Sequence, residues 1–218
     1  MENITEQNIT EQSISEKKRA ASPGSASRTR DIILVGVFAA LIAVCSWISI
    51  PGPVPFTLQT FAVFLAVALL GGKRGILCVL VYLLLGLIGV PVFAGFGAGP
   101  GKLLGLTGGY LLGFLPCAGV MWAMEGVVNG KAIKSGAGTG VKNRIVRALL
   151  LALSMLAGLL VCYAFGTAWF VQVYAKTKGA ITVAGALSMC VFPFLPFDLL
   201  KIALAVVLTD RLRRFLPD

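Results

Sequence analysis

Residues 182–211 read Thr-Val-Ala-Gly-Ala-Leu-Ser-Met-Cys-Val-Phe-Pro-Phe-Leu-Pro-Phe-Asp-Leu-Leu-Lys-Ile-Ala-Leu-Ala-Val-Val-Leu-Thr-Asp-Arg, an apolar run whose only charges before Asp210 are Asp198 and Lys201. About 20 helical residues cross the ~30 Å of hydrocarbon in a bilayer, so the stretch predicts a membrane span, 182–208. Lys201 stands ten residues before Arg211, which is ~15 Å along a helix and puts the pair near mid-membrane. The i, i+3 spacing places both side chains on one face, with the acid on the N-terminal side. An ionised group at that depth costs roughly 2.5–3.5 kcal/mol and normally faces a cavity or a counter-charge. The two residues therefore either neutralise each other as a packing device or line a polar site. In the second case a carboxylate accepts N–H groups and an ammonium donates to a carbonyl, which suits an amide-like or ureide-like ligand. Pro193 and Pro196 precede the pair. Each removes a backbone N–H and frees carbonyls nearby, either as a tolerated kink or as the broken helix of a binding site.

The rest of the 218-residue chain agrees with a membrane protein. Hydrophobic residues make up 57% and charged residues 13%, with a mean hydropathy of +0.90; a soluble domain carries about a quarter charged. The net charge of +10 sits in short clusters between apolar runs, which excludes a nucleic-acid-binding face and leaves membrane lipid as the surrounding phase. There is no histidine, so Ser–His and Cys–His chemistry is excluded and no metal site or cofactor is expected. Cys45, Cys78, Cys117, Cys162 and Cys190 each lie in an apolar run, without a Cys-x-x-Cys pair, and read as small fillers.

Residues 1–30 are polar, with a tandem Asn-Ile-Thr-Glu-Gln repeat at 3–12, and read as a disordered cytoplasmic tail. No cleavable signal peptide is expected before the first apolar run at Ile32. Six spans follow within the domain 31–210, near 31–50, 57–70, 76–92, 108–126, 148–172 and 182–208, and 211–218 form a short C-terminal tail. The second is short for a crossing. Placed on this all-α, six-helix scheme, fifteen lysines and arginines fall on one side, in the N-terminal tail, at 73–74, in the linker 129–147 and from Arg211 onward. Three, Lys102, Lys176 and Lys178, fall on the other. The positive-inside rule then makes both termini cytoplasmic and turns 51–56, 93–107 and 173–181 outward.

Three further features could carry chemistry. Pro53-Val54-Pro55-Phe56-Thr57-Leu58-Gln59-Thr60 opens a span with polar groups, among which Gln59 is donor and acceptor and Thr57 could simply cap the helix. The glycine-rich stretch 94–109 allows close backbone approach to a ligand, with Phe93, Phe96 and Tyr110 able to cover a ring, or it is merely flexible. It is not a P-loop, because Leu103 follows Gly101-Lys102. Gly36, Ala39, Ala40 and Ala43 give small-xxx-small spacings that let another helix approach closely.

Four motifs, taken in order, resemble one known family. Pro53-Val-Pro-Phe-Thr-Leu-Gln-Thr60, Gly89-Val-Pro-Val-Phe-Ala-Gly95, Thr107-Gly-Gly-Tyr-Leu-Leu-Gly-Phe114 and Phe194-Leu-Pro-Phe-Asp-Leu-Leu-Lys201 look like BioY, the substrate-binding S component of biotin energy-coupling factor (ECF) transporters. The resemblance covers 31 to about 210. It implies an S-component-like bundle of six helices with an outward-facing biotin pocket. It implies that Asp198 and Lys201 contact biotin's polar groups, with Gln59, Tyr110, Phe93, Gly95 and Gly97 at the pocket. It also implies that Gly36, Ala39, Ala40 and Ala43 face a T component driven by ATPase subunits. Some members carry a ligand-contacting asparagine in the glycine-rich loop; here Gly95-Phe96-Gly97-Ala98-Gly99 offers no polar side chain. The alternative is a self-sufficient secondary transporter of biotin or a similar small acid. A membrane enzyme would need clustered acids at a membrane face, where only Glu125 and Asp210 stand.

Overall fold

The computed structural model describes residues 24–52, 54–130 and 140–213. Two compact units divide the chain, Met1–Leu34 and Val35–Asp218. The described part of the first is the opening turns of helix α1, Gly24–Trp47. That helix starts seven residues ahead of the expected Asp31, so residues 24–30 of the tail expected over 1–30 are helical, and 1–23 lie outside the described residues. The segment 131–139, the centre of the expected 4–5 linker, and residues 214–218 of the expected C-terminal tail also lie outside them.

Helix α1 ends at Trp47, and Ile48-Ser49-Ile50 leave the helical path. β-Branched residues favour extended backbone, and the residue before Pro51 is steered away from the α region. The result is a small antiparallel ribbon, β1 (Ser49–Ile50) with β2 (Phe56–Thr57), in which Ser49 faces Thr57 and Ile50 faces Phe56. Among the described residues this ribbon is the fold's one two-stranded sheet.

Helix α2, Gln59–Leu70, is apolar around nearly its whole circumference, and nine of its twelve residues are buried. A helix that is hydrophobic all round belongs in the middle of a bundle. At 12 residues it is about 18 Å long, too short to cross a bilayer unaided. Gly71 then turns the chain in one residue at φ +84°, a conformation other residues rarely adopt, and α3 (Gly72–Leu87) packs back against α2. The two meet closely enough that a Cβ at Gly75 would lie 2.6 Å from the Val67 Cα.

After a 3₁₀ turn at Ala94–Phe96 and the short helix α4 (Pro100–Leu103) come α5 (Gly108–Val128) and α6 (Gly140–Thr177). The latter extends beyond the expected span at both ends, since no proline or glycine pair interrupts it. Helices α5 and α6 form the most extensive helix–helix contact of the fold. Gly109 meets Trp169, Gly113 meets Cys162, Cys117 meets Gly158 and Tyr110 meets Gly166. Contact partners that fall on one helix as they rise on the other define an antiparallel pair, and the small residues are what let the backbones approach.

The run quoted at the outset forms two helices, α7 (Val183–Cys190) and α8 (Leu195–Leu212), bent by 51° across 191–194. Pro193 lies in the break, and Pro196 occupies the first turn of α8, where a missing N–H costs nothing. Among the described residues three helices, α1, α5 and α6, are long and apolar enough to cross a membrane, and four if the bent pair is one span. The polarity of α8 is inverted relative to a soluble helix. Asp198, Lys201 and Thr209 are buried, while Leu199, Leu200, Leu204 and Val207 stand 47–60% exposed. Polar groups inside and large apolar groups outside are what a lipid environment selects. The chain is an all-α integral membrane protein.

Candidate functional site

The first turn of α8 places Asp198 where the positive end of a helix dipole favours a carboxylate. Lys201, one turn on, donates to Asp198 Oδ1 at 2.7 Å, and both side chains are only 5% exposed. The ammonium has a second acceptor, the Thr57 carbonyl of β2 at 2.6 Å, and lies 4.3 Å from the centre of the Phe56 ring. A desolvated ammonium gains about 2 kcal/mol over an aromatic face. Phe56 in turn packs on Phe194 and Phe197, at 5.9 and 4.9 Å between centroids. The other carboxylate oxygen, Oδ2, accepts from the Tyr163 hydroxyl of α6. The buried pair thus joins three separate stretches of chain. Lys201 keeps a third N–H, and the carboxylate keeps lone pairs, for a further partner.

These groups open into a cavity of about 100 Å³ that is partly open to solvent. Its floor holds Asp198, Lys201 and Tyr163, and Phe93, Leu111, Phe114 and Leu159 supply apolar wall. Gln59 is 2% exposed and donates from Nε2 to the Tyr82 hydroxyl at 2.9 Å, leaving its amide oxygen as an acceptor. Phe93 is 1% exposed and stands edge-on to Tyr82 at 5.6 Å. It reaches that depth because residue 86 is glycine: a Cβ there would meet the Phe93 ring at 2.0 Å. Tyr110 shares a hydrogen bond with Thr167 at 3.0 Å, which fixes the phenol at the cavity edge.

Asp198, Lys201, Gln59, Tyr110 and Phe93 are thus brought together around one space. Gly95 and Gly97 are not among its lining residues, although Ala94 between them and Phe93 is. Phe93 and Gly97 exchange backbone hydrogen bonds at 3.0 and 3.1 Å, closing a tight loop whose tip, Gly95 at φ +65° and Phe96 at φ +55°, projects away. Phe96 stacks on Trp47 at 5.1 Å instead of covering the cavity. The small residues of α1 divide between two faces. Ala39 and Ala43 are 2% and 6% exposed and serve packing within the chain, while Gly36 and Ala40 are exposed and Gly36 has open space where a Cβ would stand.

Sequence reasoning did not single out Tyr163, the Thr57 carbonyl, or the ring of Phe56 as a cushion for Lys201. A signal for Tyr163 existed, because a phenol buried in an apolar span needs a hydrogen-bond partner. Neither a main-chain carbonyl nor a ring 145 residues from the lysine it supports leaves any mark in sequence. Cys162 and Cys190 also line the cavity. Among the described residues no cluster of acids, histidines or cysteines could hold a metal ion.

A profile of the BioY family matches residues 15–218. The chain is similar to the biotin transporter BioY of Thermotoga maritima, 41% identical over 186 residues covering 85% of this chain and 96% of that protein. It is also similar to the biotin transporter BioY of Rhodobacter capsulatus, 33% identical over 87% of this chain and 96% of the relative. The fold matches the crystal structure of the S-component for biotin from an ECF-type ABC transporter, with a TM-score of 0.69 and 25% identity over 87% of this chain and 94% of that one. With a buried acid–base pair at the floor of a preformed cavity, an S-component fold, and relatives matched over most of their length, this chain belongs to the BioY family, whose members are transporters and not enzymes.

Proposed function

We propose that this chain binds biotin in the cavity over Asp198 and Lys201 and, as the substrate-capture component of an ECF-type transporter, mediates its uptake across the cell membrane. The observation that carries this reading is the wiring of the pair: a carboxylate with both oxygens engaged, beside an ammonium with an N–H to spare, at the floor of a largely apolar cavity. Biotin's ureido ring has N–H donors for the carboxylate and a carbonyl for the ammonium, and its apolar bicycle and chain suit Phe93, Phe114 and Leu159. Gln59 and Tyr110 complete the polar lining. Gly95 and Gly97 act through loop geometry, because neither lines the cavity.

Transport then involves a T component and ATPase subunits, with the exposed Gly36–Ala40 side of α1 as the face on which a partner helix approaches. In this arrangement the chain spans the membrane six times, with α2 and α3 completing the count. The excess of lysine and arginine faces the cytoplasm with both termini, and the cavity opens outward. Titration of purified protein with biotin tests the ligand. Saturable binding is expected, with loss of about a hundredfold or more in Asp198→Asn and Lys201→Ala, since each leaves a buried charge or dipole without its partner. Absence of binding, or binding unaffected by both changes, refutes the assignment.

A further inference from the structure

Of the charged side chains lining the cavity, Asp198 and Lys201 cancel each other at 2.7 Å, and one remains: Lys102, on α4 at the mouth. Among the described residues no carboxylate pairs with it. Glu125 caps the backbone N–H of Gly72 at 2.9 Å, and Asp210 pairs with Arg144, so neither is available to it. The cavity therefore carries a net charge of one cation, placed at its open end.

Lys102 is also held in place. Its aliphatic stem lies flat across Gly97, where a Cβ would come within 2.6 Å of Lys102 Cε and 3.2 Å of both Cδ and Cγ. Gly97 thus serves as the bed for the Lys102 stem, a role distinct from lining the site. The side chain stands on the border between the cavity and a second, adjoining groove of about 340 Å³, and both spaces share Pro55, Ala94, Lys102 and Thr107. Among the described residues Lys102 is the one charged side chain that lines both spaces.

We propose that Lys102 receives the ligand's carboxylate and makes this site selective for the free acid over neutral derivatives. The inference rests on the biotin reading above and adds the residue that recognises the far end of the molecule. Because Lys102 is solvent-exposed, the carboxylate keeps part of its hydration, so the contact discriminates without the large desolvation cost of a buried pair.

The test is a titration of the full-length protein in detergent with biotin and with biotin methyl ester, for wild type, Lys102→Gln and Lys102→Arg. The wild type is expected to prefer biotin by roughly tenfold, the scale of one charge-assisted hydrogen bond. Lys102→Gln should weaken biotin by about the same factor while changing ester affinity less than twofold, and Lys102→Arg should restore the preference. Raising the salt concentration should weaken biotin and leave the ester nearly unaffected. Equal wild-type affinity for acid and ester, or a Lys102→Gln effect equal on both, overturns the role of Lys102 while leaving the biotin assignment standing. A wild type that binds neither ligand overturns both.

Discussion

Replacing Lys201 with Met removes the ammonium that bridges Asp198 Oδ1 at 2.7 Å and the Thr57 carbonyl at 2.6 Å. The carboxylate left behind is 4% exposed and retains only the Tyr163 hydroxyl as a side-chain donor among the described residues. Removing one partner of a buried ion pair costs about 3–5 kcal/mol, most of it the uncompensated charge. Asp198→Leu leaves the ammonium with Thr57 and the Phe56 ring 4.3 Å away, so its cost falls at the lower end of that range. In the double variant no charge remains. The residual penalty is that of two orphaned groups, the Thr57 carbonyl and the Tyr163 hydroxyl, at ~1–3 kcal/mol each. The double variant should therefore be destabilised by less than the sum of the single ones, with a coupling of about 3 kcal/mol. Thermal and denaturant unfolding in detergent micelles would measure it, with a biotin titration alongside that shows lost binding in all three. If the two effects simply add, Asp198 and Lys201 do not interact in the folded protein, and the electrostatic reasoning about the site is wrong.

Tyr163→Phe deletes the donor to Asp198 Oδ2 while keeping the ring. It should cost ~1–3 kcal/mol of stability and weaken ligand binding, and an unchanged melting temperature with unchanged affinity would remove Tyr163 from the site. Thr209 is 1% exposed, and its hydroxyl has no hydrogen-bond partner among the described residues. Thr209→Val should be neutral or stabilising by up to ~1 kcal/mol in the same unfolding assay; clear destabilisation would reveal a partner for that oxygen.

Composition and run length were enough to identify a helical membrane protein, because a chain with 57% hydrophobic and 13% charged residues has too little polar surface to face water. The i, i+3 spacing of Asp198 and Lys201 was likewise sufficient to put them on one face of one helix, since helical geometry is local. Pro193 and Pro196 marked the break because proline acts on its own backbone. What sequence left open depended on contacts between distant segments. The span that looked too short, α2, is explained by its central burial, which surrounding helices decide. The small residues of α1 look alike in sequence, yet packing turns Ala39 and Ala43 inward and leaves Gly36 and Ala40 exposed. Gly95 and Gly97 sit in a motif beside the cavity but do not line it, because a tight backbone loop turns the tip away. Tyr163 and the Thr57 carbonyl reach the ion pair from 35 and 144 residues away. Sequence by itself therefore determined the solvent this protein lives in and the helix that carries its charges. Only the tertiary structure decided which groups complete those charges, because a buried charge takes its partners from space and not from chain order.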